Sequence, residues 1–185
     1  MITFCYATGA VSGTDFVGGL CGYNRRTITS CYATGAVSGT SSSVGGLCGE
    51  NYYYSTISRS FWDIQTSGMT TSAGGTGKTT AQMQTLSTFT SAGWDFTNET
   101  TNGRNEIWRM CINGVDYPHL NWESIDGDFS CPDGINIEDL SYFIGRWLMK
   151  GCTVGNNYCG GADLNYSGVV DLVDWAIFAE NWLKI

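Results

Sequence analysis

Residues 5–14, CYATGAVSGT, return unchanged at residues 31–40, 26 positions later, and VGGLCG at residues 17–22 returns at residues 44–49. Identity at a nearly fixed period marks a stacked repeat, in which one unit cannot bury its own apolar face and each copy rests on the next. Within a copy, Cys5, Ala7, Gly9 and Val11 alternate with Tyr6, Thr8, Ala10 and Ser12, the period-two pattern of a strand with one narrow, small-residue face. A second short strand at residues 17–21 and a third near 27–30 complete a coil. The repeats therefore predict a short β-solenoid of about three strands per turn, with Ile28 and Ile57 in matching inner places. Residues 52–68 begin like a third copy, Phe61 falling where Cys31 would recur, and then lose the pattern. Two full copies are few for a solenoid, and an open end must be covered, so Phe61 and Trp62 read as the start of a cap.

The whole chain reads as mostly β: repeats over residues 1–60, a mixed cap and connecting region over 61–125, and a small α-helical module over 126–185. Ten tyrosines, eight phenylalanines and seven tryptophans in 185 residues make aromatics the main core material. The net charge is −8, and no lysine or arginine cluster tracks a phosphate backbone or an anionic membrane, which excludes nucleic acid as a partner. Eight cysteines point to an oxidising compartment. No apolar run approaches the length of a membrane span, and no signal-like segment opens the chain. Met1-Ile2-Thr3 runs straight into repeat sequence, as expected of a piece of a longer secreted protein.

The middle region offers little chemistry. SAGGTGKTT at residues 72–80 contains the second half of a phosphate loop, but Ser72 stands where the first glycine belongs and the preceding IQTSGMTTS is polar, so a glycine-rich surface turn is expected instead. Met83, Leu86 and Phe89 are spaced as one face of a short helix capped by Thr79 or Thr80. His119 is the only histidine, and in YPHL it reads as a loop imidazole bonded to backbone rather than a general base. Asp63, Asp95, Glu99 and Asp116 lie on separate apparent turns, with nothing to set two of them across a cleft. The expectation is a chain without catalytic residues.

The C-terminal module carries the metal pattern. An EF-hand-type calcium loop takes side-chain oxygens at positions 1, 3, 5, 9 and 12, a carbonyl at 7 and glycine at 6. In DLNYSGVVDLVD, residues 163–174, those places hold Asp163, Asn165, Ser167, Asp171, Asp174, the Val169 carbonyl and Gly168. Thirty-five residues earlier stands a second copy: Asp128, Ser130, Asn136 and Asp139 fit positions 1, 3, 9 and 12, while position 5 is Pro132 and position 6 is Asp133, with the glycine delayed to Gly134. Pro132 has no side-chain oxygen, and Asp133 is the residue placed to bend in for it. After each loop an apolar stripe repeats: Leu140, Phe143, Ile144, Trp147 and Leu148 against Trp175, Phe178, Ala179, Trp182 and Leu183. Two such helices are expected to bury their stripes against each other.

Two resemblances follow from these motifs. The Gly-Leu-Cys-Gly runs at 19–22 and 46–49, each after YATGAVSG, resemble the GLUG repeats of bacterial surface proteins, and the run from FWD through GWDF to YPHL resembles the tail that follows such repeats. The resemblance implies a cell-surface or extracellular setting, as in adhesin-like and secreted peptidase-like proteins, and no chemistry. This chain departs from the pattern by carrying cysteine after the leucine twice. Stacked coils would set Cys5 over Cys31 and Cys21 over Cys48 at about 4.8 Å, compatible with disulfides or with a ladder of buried thiols. The paired loop-helix units, with aspartate at position 12, resemble the type I dockerin. That likeness implies Ca2+ as cofactor, a cohesin-like protein as partner, and a non-catalytic role in docking a secreted protein. The alternatives are a purely structural calcium-stabilised end of an adhesin, or an appendage of a polysaccharide-degrading enzyme whose catalytic domain lies upstream. Of the remaining cysteines, Cys152 with Cys159 is the preferred disulfide, and Cys131 with Cys111 would then tie the module to the middle region.

Overall fold

The computed structural model describes residues 1–97, 99–123, 125–130 and 134–182. The chain forms two compact units, Met1–Asn121 and Trp122–Ile185.

The first unit is a parallel stack with equivalent residues of successive repeats side by side. Ile2, Ile28 and Ile57 form one ladder, Tyr6, Tyr32 and Phe61 a second, and Ala7, Ala33 and Trp62 a third. Phe61 thus follows Tyr32 and not Cys31, because the third coil keeps the 29-residue offset of Ile28 to Ile57 and sets Ser60 in the cysteine's place. Val11 pairs with Val37, Val17 with Val44, and Cys21 with Cys48. Each coil is divided more finely than three strands: the second uses Thr27–Thr29, Tyr32–Ala33, Val37–Gly39, Val44–Gly45 and Cys48–Asn51. The corners explain the subdivision. Phe4, Ser30 and Arg59 take positive φ at the same place in successive coils, turning the chain just before the cysteine or its equivalent. Polar ladders lock the register as well. Asn24, nearly buried, donates its amide to Asn51 Oδ1 at 2.7 Å, and the Ser58 hydroxyl meets Thr29 at 3.1 Å.

Alternation sends the two aromatic-bearing ladders to opposite faces. Ala33, Leu47 and Trp62 cluster on the inner side with Leu20, Ile57 and Ile64 against them. Where the lower coils carry alanine, the last carries an indole, and the lumen is filled. Trp62 Nε1 donates to the Met69 carbonyl at 2.9 Å. A Cβ added to Gly46 would stand 2.1 Å from Trp62 Cδ1, so the glycine of the second Gly-Leu-Cys-Gly run is required by the ring beside it.

The outer ladder nucleates the larger core. Tyr32 is fully buried among Phe61, Met83, Phe89, Trp94, Phe96, Trp108 and Leu120, stacked on Tyr6 at 5.2 Å and 6°. Its hydroxyl donates to the Pro118 carbonyl at 2.6 Å, and Trp94 Nε1 donates to the Arg59 carbonyl at 2.8 Å. Residues 80–120 thus pack their aromatics onto the side of the stack. The glycine-rich segment is more than a surface turn: Thr76–Lys78 adds a fourth strand in register with Phe61–Asp63, and Ser72 Oγ accepts the Leu47 and Cys48 N–H groups. The polar sequence hid this rung because a terminal strand needs backbone partners more than apolar side chains. Thr79 then caps Thr80–Met83 with a capping box completed by Gln82, which satisfies two otherwise orphaned donors.

Asp63 ends the third coil and is fully buried. Its Oδ1 accepts the Gln65 and Thr66 N–H groups, and its Oδ2 accepts the Tyr117 hydroxyl at 2.6 Å. Burial, and then the hydrogen bond to Asp63, push the Tyr117 phenol up to about 12.

Two predictions follow from this packing. Trp62→Ala is expected to cost about 3–5 kcal/mol in urea unfolding, the usual range for emptying a buried tryptophan site, and Gly46→Ala to destabilise through the indole it displaces. Because the folded state holds the Tyr117 proton more tightly, its contribution is complete below pH 10.0 and is lost as pH rises towards about 12. Tyr117→Phe should lower stability at neutral pH by about 1–3 kcal/mol by stranding Asp63 Oδ2, and melting curves taken through that alkaline window should show the difference from the parent chain closing.

Candidate functional site

The second unit begins from two loops whose backbone folds onto their own carboxylates. In residues 163–174, Asp163 is fully buried and accepts Ser167 N–H on Oδ1 at 2.9 Å and Gly168 N–H on Oδ2 at 2.8 Å. Gly168 has φ +92°, a conformation that costs side-chain-bearing residues, which is why glycine at position 6 closes this turn. Asp174 is also fully buried. Its Oδ1 accepts Asn165 N–H at 3.1 Å and its Oδ2 accepts Asp171 N–H at 2.8 Å. Asp171 Oδ1 accepts Val173 N–H at 2.8 Å, capping the helix Leu172–Trp182.

The loop of residues 128–139 repeats the three bonds made through positions 9 and 12, and its Asp139 also accepts Phe129 N–H at 2.7 Å and the Ser130 hydroxyl at 2.9 Å. Asp139, fully buried, accepts Ser130 N–H on Oδ1 at 2.6 Å and Asn136 N–H on Oδ2 at 2.9 Å. Asn136 Oδ1 accepts Glu138 N–H at 2.6 Å, capping Ile137–Ile144. In both loops the carboxylate at position 12 gathers the N–H groups of positions 3 and 9, and the side chain at position 9 caps the helix. The copies differ at position 1, since Asp128 is half-buried where Asp163 is sealed. Pro132 and Asp133, on which the fit of the first loop turned, lie outside the described residues.

The electrostatics of the second loop are unbalanced. Two fully buried carboxylates, Asp163 and Asp174, are met by backbone N–H groups and the Ser167 hydroxyl, and among the described residues no cationic side chain meets either. Buried charge left in that state is costly unless a counter-charge arrives. Asn165 Oδ1 accepts Ser167 N–H at 2.9 Å, and Ser167 Oγ donates to the Val169 carbonyl at 3.1 Å, so the remaining oxygen donors lie within the same turn. Among the described residues no three His, Cys, Asp or Glu side chains gather into a metal cluster. A cation here would rely on amide, hydroxyl and carbonyl oxygens beside the carboxylates, an all-oxygen set of the kind hard divalent cations take. The residues present fit that chemistry.

What holds the loops together was missed in the sequence. Ile135 and Val170, both at position 8, are buried in one cluster with Phe143, Phe178, Ala162 and the Cys152–Cys159 disulfide. An apolar residue at the same place in two polar loops was the available signal. Residues 148–152 run antiparallel to the second loop, with Lys150 opposite Val169 and Leu148 N–H donating to the Val170 carbonyl. Cys111 is disulfide-bonded; its expected partner, Cys131, lies outside the described residues.

The helix stripes do not close on each other fully. Phe143 and Phe178 stack at 5.2 Å, but the first helix stops at Ile144 and the chain turns towards the second loop, taking Leu148 off the stripe while Trp147 stays against Phe143 at 5.8 Å. Leu183 lies outside the described residues. Leu140, Phe143, Ile144, Trp147, Leu172 and Trp175 instead line an open apolar groove of about 430 Å³. No helix among the described residues is long and apolar enough to cross a membrane. His119 sits in a two-residue strand opposite Arg109, with its ring edge-on to Tyr6 at 6.0 Å.

Residues 17–38 match the GLUG motif, and no solved structure matches the chain. A putative Gly-rich membrane protein of Evansella cellulosilytica is 38% identical over 82 residues, 43% of this chain, and the match spans 8% of that protein's length. Both likenesses bear out GLUG repeats in this chain, and the in-register parallel ladders are the β-rich form those repeats take here.

Proposed function

We propose that the second unit is a calcium-binding, dockerin-like docking module and that the chain is a non-catalytic part of a secreted or surface protein. The observation that carries this reading is the doubled loop, in which each position-12 aspartate is fully buried and gathers the same two backbone donors. In the second loop Asp163, Asn165, Ser167, Asp171, Asp174 and the Val169 carbonyl would hold the ion. Bound calcium would neutralise carboxylates that the fold has already withdrawn from water. In the first loop Asp128, Ser130, Asn136 and Asp139 are the corresponding donors, together with Asp133. Because the unit has a small core, ion binding and folding are expected to be coupled.

The open groove favours docking over a calcium role confined to stiffening. Two tryptophans and four other apolar side chains line it, and apolar surface of this kind marks interaction sites. A cohesin-like domain is the partner proposed. The extracellular setting is supported by the GLUG match and by the disulfide chemistry at Cys111, Cys152 and Cys159.

Titration calorimetry of the whole chain with calcium chloride should show at least one site, accompanied by a higher melting temperature for the second unit. Asp163→Ala and Asp174→Ala should each abolish that site; absence of heat and of any melting shift in the parent chain would overturn the calcium reading. Type I cohesin domains should then be retained by the immobilised chain in calcium and released by chelator. Retention that ignores the chelator, or no retention while calcium still binds, would sink the docking reading alone.

A further inference from the structure

Four cysteines of the repeats are free thiols, and they come in two vertical pairs. Cys21 and Cys48 are direct partners in adjacent parallel strands. Cys5 and Cys31 are held in the same relation, because the flanking pairs Thr3–Thr29 and Tyr6–Tyr32 are in register and Tyr32 N–H donates to the Cys5 carbonyl at 3.1 Å. Neighbouring strands lie about 4.8 Å apart, within the Cα separation that a disulfide spans. The thiols of Cys5, Cys31 and Cys48 donate to nearby carbonyls, those of Thr3, Thr29 and Glu50, so the bonds these three give up on reacting are to backbone. Each pair is also asymmetric: Cys31 and Cys48 are fully buried, while Cys5 and Cys21 are partly open to solvent.

We infer that Cys5–Cys31 and Cys21–Cys48 are two modification sites at which a disulfide-bearing oxidant installs covalent staples between successive coils. The asymmetry assigns the order of events. The accessible thiolate of Cys5 or Cys21 attacks one sulfur of the oxidant RS–SR; the Cys–S–SR bond forms, the S–S bond of the oxidant breaks, and one RS⁻ leaves and takes up the proton released by the cysteine. The buried thiol of the neighbouring coil then loses its proton and attacks the cysteine sulfur of the mixed disulfide, expelling the second RS⁻, which is protonated in turn. The pair has lost two electrons and two protons, and the oxidant has become two RSH. Burial pushes the Cys31 and Cys48 thiols up to about 11, which makes them poor first nucleophiles and leaves them to act on a sulfur already placed beside them.

The experiment takes the full chain, reduced and then held natively with excess oxidised glutathione at about pH 8, near the pKa of an ordinary thiol. Blocking of remaining thiols and non-reducing peptide mapping should recover the Cys5–Cys31 and Cys21–Cys48 cross-links, each with a mass loss of about 2 Da, and the stapled repeats should melt at a higher temperature than the reduced ones. Cys31→Ser should leave Cys5 as a stable glutathione adduct, whereas Cys5→Ser should leave Cys31 unmodified until the chain is unfolded. Persistent adducts on Cys5 and Cys21 in the parent chain, any of these four thiols staying free, or a cross-link of one of these four to another partner would each overturn the inference.

Discussion

The first unit depends on one constraint: every strand of a coil must find its backbone partner in the equivalent strand of the next. A two- or three-residue strand has no stability of its own, and the ladders here are made of little else. Register follows from side chains that match themselves, isoleucine on isoleucine, tyrosine on tyrosine, asparagine on asparagine. Slipping one residue would exchange the inner and outer faces of the whole coil, placing Tyr32 in a lumen sized for alanine. The aromatic wall of residues 80–120 is the second half of the same constraint, since it covers the large side chains that the narrow lumen refuses.

The repeat itself was open to reading because identity of sequence and identity of structure are the same statement in a stack. Ile28 over Ile57 and the small inner face of Ala7 and Ala33 follow from counting positions. The corners were not legible: Phe4, Ser30 and Arg59 share a left-handed conformation but no side-chain type, so no local rule flags them. The rung at Thr76–Lys78 escaped for a related reason. Its contribution is backbone pairing, and a polar, glycine-bearing segment advertises a turn.

The candidate site divides along similar lines. Ligand-type residues were visible because oxygen donors must fall at fixed positions in a loop of fixed length. The structure adds what the donors do for the fold: Asp139 and Asp174 tie off the polypeptide, and Asp171 and Asn136 cap helices. Aspartate at position 12 therefore has a structural task that it performs mainly with backbone donors, joined in the first loop by the Ser130 hydroxyl. The helix pairing was less legible, because the end of Ile137–Ile144 is set by the pull of Leu148 onto Val170, a contact between segments more than twenty residues apart that periodicity does not contain.

The indole of Trp62 has a meaning beyond filling space. Repeats this similar offer a growing chain several nearly equivalent ways to stack, each with good backbone pairing and matching side chains. A single bulky ring, admitted over Gly46 and bonded to the Met69 carbonyl, breaks that degeneracy by making one coil unlike all others. It ends the counting of like units: the rung laid against it sets Gly77 beside the ring, so whatever follows Trp62 in the stack cannot be another copy of the coils before it.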